Sequence, residues 1–356
     1  MSRFQYEWYL KDAEFKKDRG DVFSCFACGG GSTMGYKLSG YNVIGCNEID
    51  PRMNKVYVEN HKPSINYLCD IRKLLEPSFN LDERLFNLSI FDGSPPCSSF
   101  SLAGNRDKDW GKKKKFKEGQ EEQVLDTLFF DTIDLIKLLQ PKIAILENVE
   151  GIMFADALEY VKKIYQDFHN AGYYLNHYLL DSLVMGVPQR RTRVFFIAVR
   201  KDLRKLIPAH NSSLFNECPY LDLNFNEPQI NFDEIEEFDL NREKLSDAQK
   251  LMWDDTDDLG YHYKNGEHGR RLFGYFYKMM RNRPSRTIMG GGCYALEKYP
   301  EKINRNEICK ISSFPLDYNF LDQNVYTICG MSVPPVMMAQ ISNNVYEQWG
   351  KYLTSS

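Results

Sequence analysis

Through the first two hundred residues, short apolar runs alternate with longer stretches whose apolar positions recur every three or four residues. That is the rhythm of buried parallel strands separated by amphipathic helices. Runs at 21–26, 42–46, 66–68, 88–91 and 142–146 read as strands. A helix follows the glycine-rich turn after the first run and reaches Gly40. The clearest helix spans 123–140, with Leu125, Leu128, Phe129, Thr132, Ile133, Ile136 and Leu139 on one face and Pro141 as its stop. Runs at 173–180 and 194–199 read as a terminal strand pair.

The βα rhythm is lost from about 201 to 300, where the chain becomes irregular, aromatic and acidic, then basic from Arg270 through Lys278, Arg281 and Arg283 to Arg286. Helical spacing returns at 307–314, and Ser332-Val333-Pro334-Pro335 opens a last helix reaching Trp349. The pattern predicts a doubly wound α/β domain over 1–201, completed by 320–356, with a second domain and hinge over 202–319. No internal repeat is visible.

Length and composition agree with this division. A chain of 356 residues, 43 % hydrophobic and 14 % aromatic, can bury one large core and a smaller second one. No apolar run has the length needed to cross a bilayer, and residues 1–20 mix aromatic and charged side chains without a secretory leader, so a soluble, intracellular protein is expected. Nine scattered cysteines, an odd number in a large chain, read as reduced thiols. The net charge of -4 is unevenly spread. Residues 217–258 hold fourteen acidic and three basic side chains, a balance of -11, so the rest of the chain carries +7. A basic body with one acidic segment is compatible with nucleic-acid binding, and equally with solvated charged faces.

Candidate chemistry gathers at the ends of the predicted strands. Strand, glycine-rich turn (Ala27-Cys28-Gly29-Gly30-Gly31) and helix form the opening of a nucleotide-binding βαβ unit. The second strand runs into Glu48-Ile49-Asp50 and the third into Asp70-Ile71, placing carboxylates where open α/β folds bind ligands. Cys25-Phe26-Ala27-Cys28 is discounted as a redox or metal motif because no second pair stands at zinc-site spacing. The run at 88–91 ends at Asp92-Gly93, after which Pro95-Pro96 stiffen the path to Cys97. Taken alone, Cys97 reads as a buried structural thiol or as a nucleophile. The lysine-rich stretch beyond it, with Lys112 to Lys115 between Trp110 and Phe116, reads as a lid over a polyanion or as a solvated charge run. Glu147-Asn148-Val149 stands at the end of the next strand, at the same edge as Cys97. Gln189, Arg191 and Arg193 alternate onto one face of the last strand, where three polar or cationic side chains are not expected to be core.

In this order the segments resemble the C5-cytosine DNA methyltransferase family. Phe26 to Gly31 is similar to its cofactor glycine loop, Glu48 and Asp70 to its strand-tip carboxylates, and Ser94-Pro95-Pro96-Cys97 to its nucleophile motif. Glu147-Asn148-Val149 is similar to its ENV motif and Gln189-Arg190-Arg191-Thr192-Arg193 to its QRRxR segment, while 305–317 and 330–335 resemble its closing motifs. The resemblance implies a Rossmann-like S-adenosylmethionine-dependent methyltransferase fold with a smaller, irregular target-recognition domain. It implies transfer of a methyl group to C5 of cytosine in a specific double-stranded DNA sequence, with S-adenosylhomocysteine as product. Cys97 takes the nucleophile's place, Glu147 that of the acid at N3, and Arg193 with Arg191 that of the groups holding O2 and its surroundings. Phe26, Ala27, Gly29, Gly30, Gly31, Glu48, Ile49, Asp70, Ile71, Pro95, Leu128, Ser332 and Val333 take the cofactor-binding places. A flipped-out base is implied, because C6 is inaccessible in a duplex.

Three positions depart from the family pattern: Cys28 and Asp126 replace glycines, and Met331 replaces an asparagine, all on the cofactor side. With the resemblance, the expected partners are double-stranded DNA, with no metal and no membrane, for a cytoplasmic, nucleoid-associated monomer. A place in a restriction-modification system is also expected. Methylation of transfer RNA, a non-catalytic DNA-binding relative and a nicotinamide-dependent dehydrogenase are the alternatives.

Overall fold

The computed structural model describes residues 4–96, 127–154, 157–208, 218–238, 241–255, 261–262 and 275–353. The chain divides into two compact units. The first comprises Glu14–Asp181, Thr192–Asn224 and Met338–Ser356, and the second Met1–Ala13, Ser182–Arg191 and Phe225–Met337.

The first unit follows the βα rhythm of the sequence: β1 (Asp21–Cys25), α1 (Gly31–Leu38), β2 (Asn42–Glu48), α2 (Pro51–His61), β3 (Ile65–Leu68), β4 (Ile90–Gly93), α3 (Leu128–Leu139), β5 (Ile143–Val149), α4 (Leu158–Asn170), β6 (Tyr173–Asp181) and β7 (Thr192–Arg200). The strands form one sheet in the order β3-β2-β1-β4-β5-β7-β6. The first five are parallel, and β7 runs antiparallel to both its neighbours. Strand order reverses between β1 and β4, the switch point at which such sheets open a crevice beyond their carboxyl ends.

Parity along the strands sorts side chains onto two faces. Phe23, Phe91, Leu146 and Phe196 pack with α3 and α4 in the main apolar core. Ser24 and Asp92, paired in register, lie on the other face and meet Tyr36 of α1. Local signals fix the helix ends. Asp50 caps α2 by accepting from the Arg52 and Met53 amides, with Pro51 at the first helical position. Gly30, at φ +79, makes the turn into α1.

Two sequence expectations are corrected here. Asp92-Gly93 does not end the fourth strand; both residues belong to β4, and the carboxylate is buried, which hydroxyl partners on β1 and α1 make tolerable. The fifth strand runs three residues further than the apolar run, to Val149, because β7 goes on pairing with it after β4 has ended.

The second unit contains α5 (Asp247–Asp255), β8 (Tyr261–His262), β9 (Tyr275–Met279), β10 (Gly292–Leu296), α6 (Arg305–Ile311) and α7 (Val325–Met331). Its small sheet has the order β10-β9-β8, with Leu245, Phe276 and Ala295 as a compact core. Tyr277, Tyr294 and Tyr326 stack in succession. The N-terminal segment is tied in through Trp8 Nε1, which donates to Ser313 O, and through the Leu10 and Lys11 amides, which donate to Asp317. Arg242 and Glu307 form a fully buried ion pair, in which Glu307 also completes the capping box of α6 with Asn304. The last long helix, α8 (Pro335–Val345), passes from this unit into the first, where Ser342 Oγ lies 2.7 Å from Ser39 Oγ at the end of α1. Among the described residues no helix is long and apolar enough to cross a membrane.

Candidate active site

The overhang of β5 past β4 creates the central feature. Glu147 and Val149 share a sheet face with Arg193, which stands opposite Val149 in register. Arg193 Nε lies 3.0 Å from Glu147 Oε1, both side chains being largely buried. The Arg193 guanidinium also donates through Nη1 to the Thr192 carbonyl, which fixes its plane. A carboxylate held by a planar cation at the carboxyl edge of the sheet is placed to meet a polar ring edge, with the cation beside it to balance charge.

Asn148 faces the other way and joins β5 to the segment after β4. Its Nδ2 donates to the Pro95 carbonyl at 3.1 Å, and its Oδ1 accepts from the Val149 amide. Pro95 is buried. Cys97 itself lies outside the described residues, as do Lys112 to Lys115, Asp126 and the first residues of the predicted helix over 123–140. Beneath this segment, Asp92 accepts from Ser24 Oγ at 2.5 Å and from the Tyr36 hydroxyl at 3.1 Å. Burial lifts its carboxyl to about 7, against those two hydrogen bonds and with the Glu147 charge adding to the lift.

The expected cofactor residues of this unit line one end of β1, β2 and β3. Phe26 and Cys28 both have positive φ, +54 and +46. Cys28 therefore occupies the left-handed conformation that favours the glycine it replaces. The Ala27 amide donates to Asn47 O, and the Ala27 carbonyl accepts from the Gly30 amide at 2.8 Å. Gly31 begins α1. Glu48 is buried, with Oε2 accepting from the Cys28 amide and Oε1 from the Ile49 and Asp50 amides. Burial pushes its pKa up, and those amides oppose the rise. Asp70 caps the turn at Ile71–Leu75; burial works against its charge, but Arg72 outweighs that and holds its pKa down. Ile71 and Leu128 are buried apolar walls.

This donor set suits S-adenosylmethionine. A carboxylate offers about four lone-pair directions. Glu48 uses three of them on backbone amides, which leaves one that a ribose hydroxyl of a bound cofactor would occupy. Gly30 of the loop admits no side chain, since a Cβ there would fall 2.1 Å from His61 Nε2.

The remaining expected residues belong to the second unit. Arg191 donates from Nη2 to the Gly330 carbonyl at 3.0 Å. Gly330 has no room for a side chain, since a Cβ there would meet the Gly290 amide nitrogen at 2.9 Å. Val333 is buried, and Ser332 Oγ is buried without a hydrogen-bond partner among the described residues. Gln189 and Arg191 do not share a strand face with Arg193. They precede β7, and both are buried, at 1 % and 3 % exposure. Polar side chains are tolerable there because Gln189 accepts from the Ile288 amide and donates to Ile311 O, while Arg191 holds Gly330.

Sequence reasoning missed Asp92, Asn148 and His61. Asn148 stands within the Glu147-Asn148-Val149 motif and Asp92 two residues before the Ser94 to Cys97 motif, so adjacency is the available signal for both. All eight described cysteines are free thiols. Among the described residues no cluster of three or more His, Cys, Asp or Glu side chains is placed to hold a metal.

The mostly parallel, doubly wound sheet with its loaded carboxyl edge is a Rossmann-like methyltransferase fold. It is shared with a triple mutant of DNMT2 from Spodoptera frugiperda, at TM-score 0.64 and 16% identity over 92% of this chain and 99% of that one. Residues 20–347 match the family of C-5 cytosine-specific DNA methylases, and the chain belongs to that family. It is similar to the type II methyltransferase M.FnuDI of Fusobacterium nucleatum, 27% identical over 351 residues, covering 92% of this chain and 94% of the relative. A second similar protein is the type II methyltransferase M.DdeI of Desulfomicrobium norvegicum, 33% identical over 185 residues. That match covers 51% of this chain and only 41% of the relative. Membership places the chain among the DNA cytosine-5-methyltransferases, whose methyl donor is S-adenosylmethionine.

Proposed function

We propose that this protein methylates C5 of a cytosine within a specific double-stranded DNA sequence, through a covalent bond between Cys97 and C6 of a flipped-out base. The observation that carries the reading is the Glu147–Arg193 pair at the edge where β5 outruns the strand leading to Cys97.

The chemistry explains these residue types. C5 of cytosine is a poor nucleophile until a thiolate adds to C6, so Cys97 supplies the electron pair. Addition pushes negative charge onto the ring. Glu147, which must carry a proton when the base is bound, passes it to N3, and Arg193, with Arg191, balances the charge around O2. The bound cofactor supplies an electrophilic methyl group. Once C5 carries it, the C5 proton is lost to water, Cys97 leaves as the thiolate and N3 returns its proton to Glu147, which restores the aromatic ring. Asn148 holds the Pro95 carbonyl and so sets where the segment bearing Cys97 begins. Phe26, Ala27, Gly29, Gly30, Gly31, Glu48, Ile49, Asp70, Ile71, Pro95 and Leu128, with Ser332 and Val333, are assigned to cofactor binding.

The second unit, with Lys278, Arg281, Arg283 and Arg286, is assigned to reading the target sequence. Similarity to type II methyltransferases supports a place in a restriction-modification system. Bisulfite sequencing of DNA from cells producing the protein, beside methyl incorporation into total transfer RNA, tests the reading. Methylated cytosine in one recurring DNA sequence is expected. Incorporation into transfer RNA alone, or into neither, would overturn it.

A further inference from the structure

His61 closes α2, is 8 % exposed, and has no part in the reaction as proposed. Its ring packs against Tyr57, whose hydroxyl lies 2.9 Å from Thr33 Oγ1 on α1. Lys37, also on α1, places Nζ 3.2 Å from His61 Nδ1. The opposite edge of the ring meets the glycine loop. The ring is hydrogen-bonded to the Gly29 backbone, and a Cβ on Gly30 would fall 2.1 Å from Nε2. Histidine thus stands between the first turn of the fold and the end of the second helix.

The proton positions follow from the partners. An ammonium group only donates, so Nδ1 facing Lys37 accepts. Burial, with the Lys37 charge beside it, pushes the ring's pKa well below its ordinary value, and the imidazole is neutral. Its one proton is then on Nε2, which donates, and the Gly29 group that accepts is its carbonyl. The amide of the same peptide unit, Gly30 N–H, donates to Ala27 O at 2.8 Å. The Gly29–Gly30 peptide is therefore held at both ends, and its plane is set before any ligand arrives.

We infer that His61, in the tautomer imposed by Lys37, is a positioning residue for the S-adenosylmethionine loop. The inference rests on the cofactor reading given above. A peptide plane fixed in advance saves the ordering cost on binding, so the effect belongs in cofactor affinity and not in the rate at saturation. A glutamine side chain, with one acceptor and one amide donor, can span the same two partners; alanine cannot.

Isothermal titration of the full chain with S-adenosylhomocysteine tests this. Failure of the wild-type protein to bind would overturn the cofactor reading and the inference with it. With wild-type binding established, His61→Ala is expected to bind about tenfold more weakly at unchanged stoichiometry, the loss of one net hydrogen bond. His61→Gln is expected to stay within about twofold of wild type. Wild-type affinity in the alanine variant would overturn the inference. So would a fall in stoichiometry at constant Kd, the mark of a purely structural role, or a glutamine variant as weak as alanine. If the alanine variant does not fold, Lys37→Met carries the test: it leaves the ring but releases the tautomer, and a several-fold weaker Kd is expected where an unchanged one would refute the proposal.

Discussion

Arg193 Nε lies 3.0 Å from Glu147 Oε1, and this pair exists because an antiparallel strand, β7, is inserted beside the last parallel strand of the sheet. Had β5 been flanked by β4 alone, its ladder would have ended at Leu146 and left Glu147 in a loop. Pairing of Val149 with Arg193 instead extends β5 and delivers a cation to the same face.

Glu147→Gln keeps the shape of the side chain and removes its transferable proton. Single-turnover methyl transfer is expected to slow by about 10²- to 10⁴-fold, the usual worth of a positioned acid, with S-adenosylhomocysteine affinity unchanged. Arg193→Lys, which loses the planar fork, is expected to slow the same step by at least about tenfold. A rate unaffected by either substitution would remove the pair from the chemistry.

Asp92 gives a stability prediction with a definite sign. Its carboxyl titrates at about 7 when folded, against roughly 3.9 in an unfolded chain. Between those values the folded protein keeps a proton that the unfolded chain has lost, so this residue lowers stability progressively as pH rises through the window. Asp92→Asn does not titrate. Its melting temperature relative to wild type is expected to climb from pH 4 to pH 8, with about 4 kcal/mol as the upper bound set by a shift of this size. A difference independent of pH would contradict the assignment.

The buried pair of Arg242 and Glu307 ties the segment ahead of α5 to α6. Arg242 reaches both carboxylate oxygens, at 2.6 and 2.7 Å, with side-chain exposures of 3% and 0%. Glu307→Ala leaves a buried guanidinium uncompensated and is expected to cost about 3–5 kcal/mol in urea unfolding. Replacing both partners, as Arg242→Met with Glu307→Leu, is expected to recover most of that loss. A double variant no more stable than the single one would show that the pair contributes more than mutual neutralisation.

The first four strands, the glycine turn and α3 could be read from the sequence because each depends on a local signal: an apolar run, a Gly cluster or a 3.6-residue period. The interior carboxyl of Asp92 could not, since its partners Ser24 and Tyr36 come from other elements, and Asp-Gly in sequence marks a turn more often than a strand. The sequence pattern presents Arg191 as a strand-face cation for a related reason. A charged side chain is expected to be exposed until a carbonyl such as that of Gly330 is known to receive it. His61 is not legible in sequence, because a histidine near a helix end carries no signature until Lys37 and Gly29 are placed on either side of its ring.

Attack of Cys97 on C6 is the central claim, and a DNA duplex carrying 5-fluorocytosine at the methylated position tests it most directly. Fluorine cannot leave C5 as a proton does, so the enzyme, S-adenosylmethionine and this duplex should accumulate a covalent complex. The account predicts an intact mass equal to protein plus DNA plus one methyl group, with Cys97 as the modified residue and no complex from Cys97→Ser. A sequence that the enzyme methylates when it carries cytosine, but that yields no adduct when it carries 5-fluorocytosine, would contradict it.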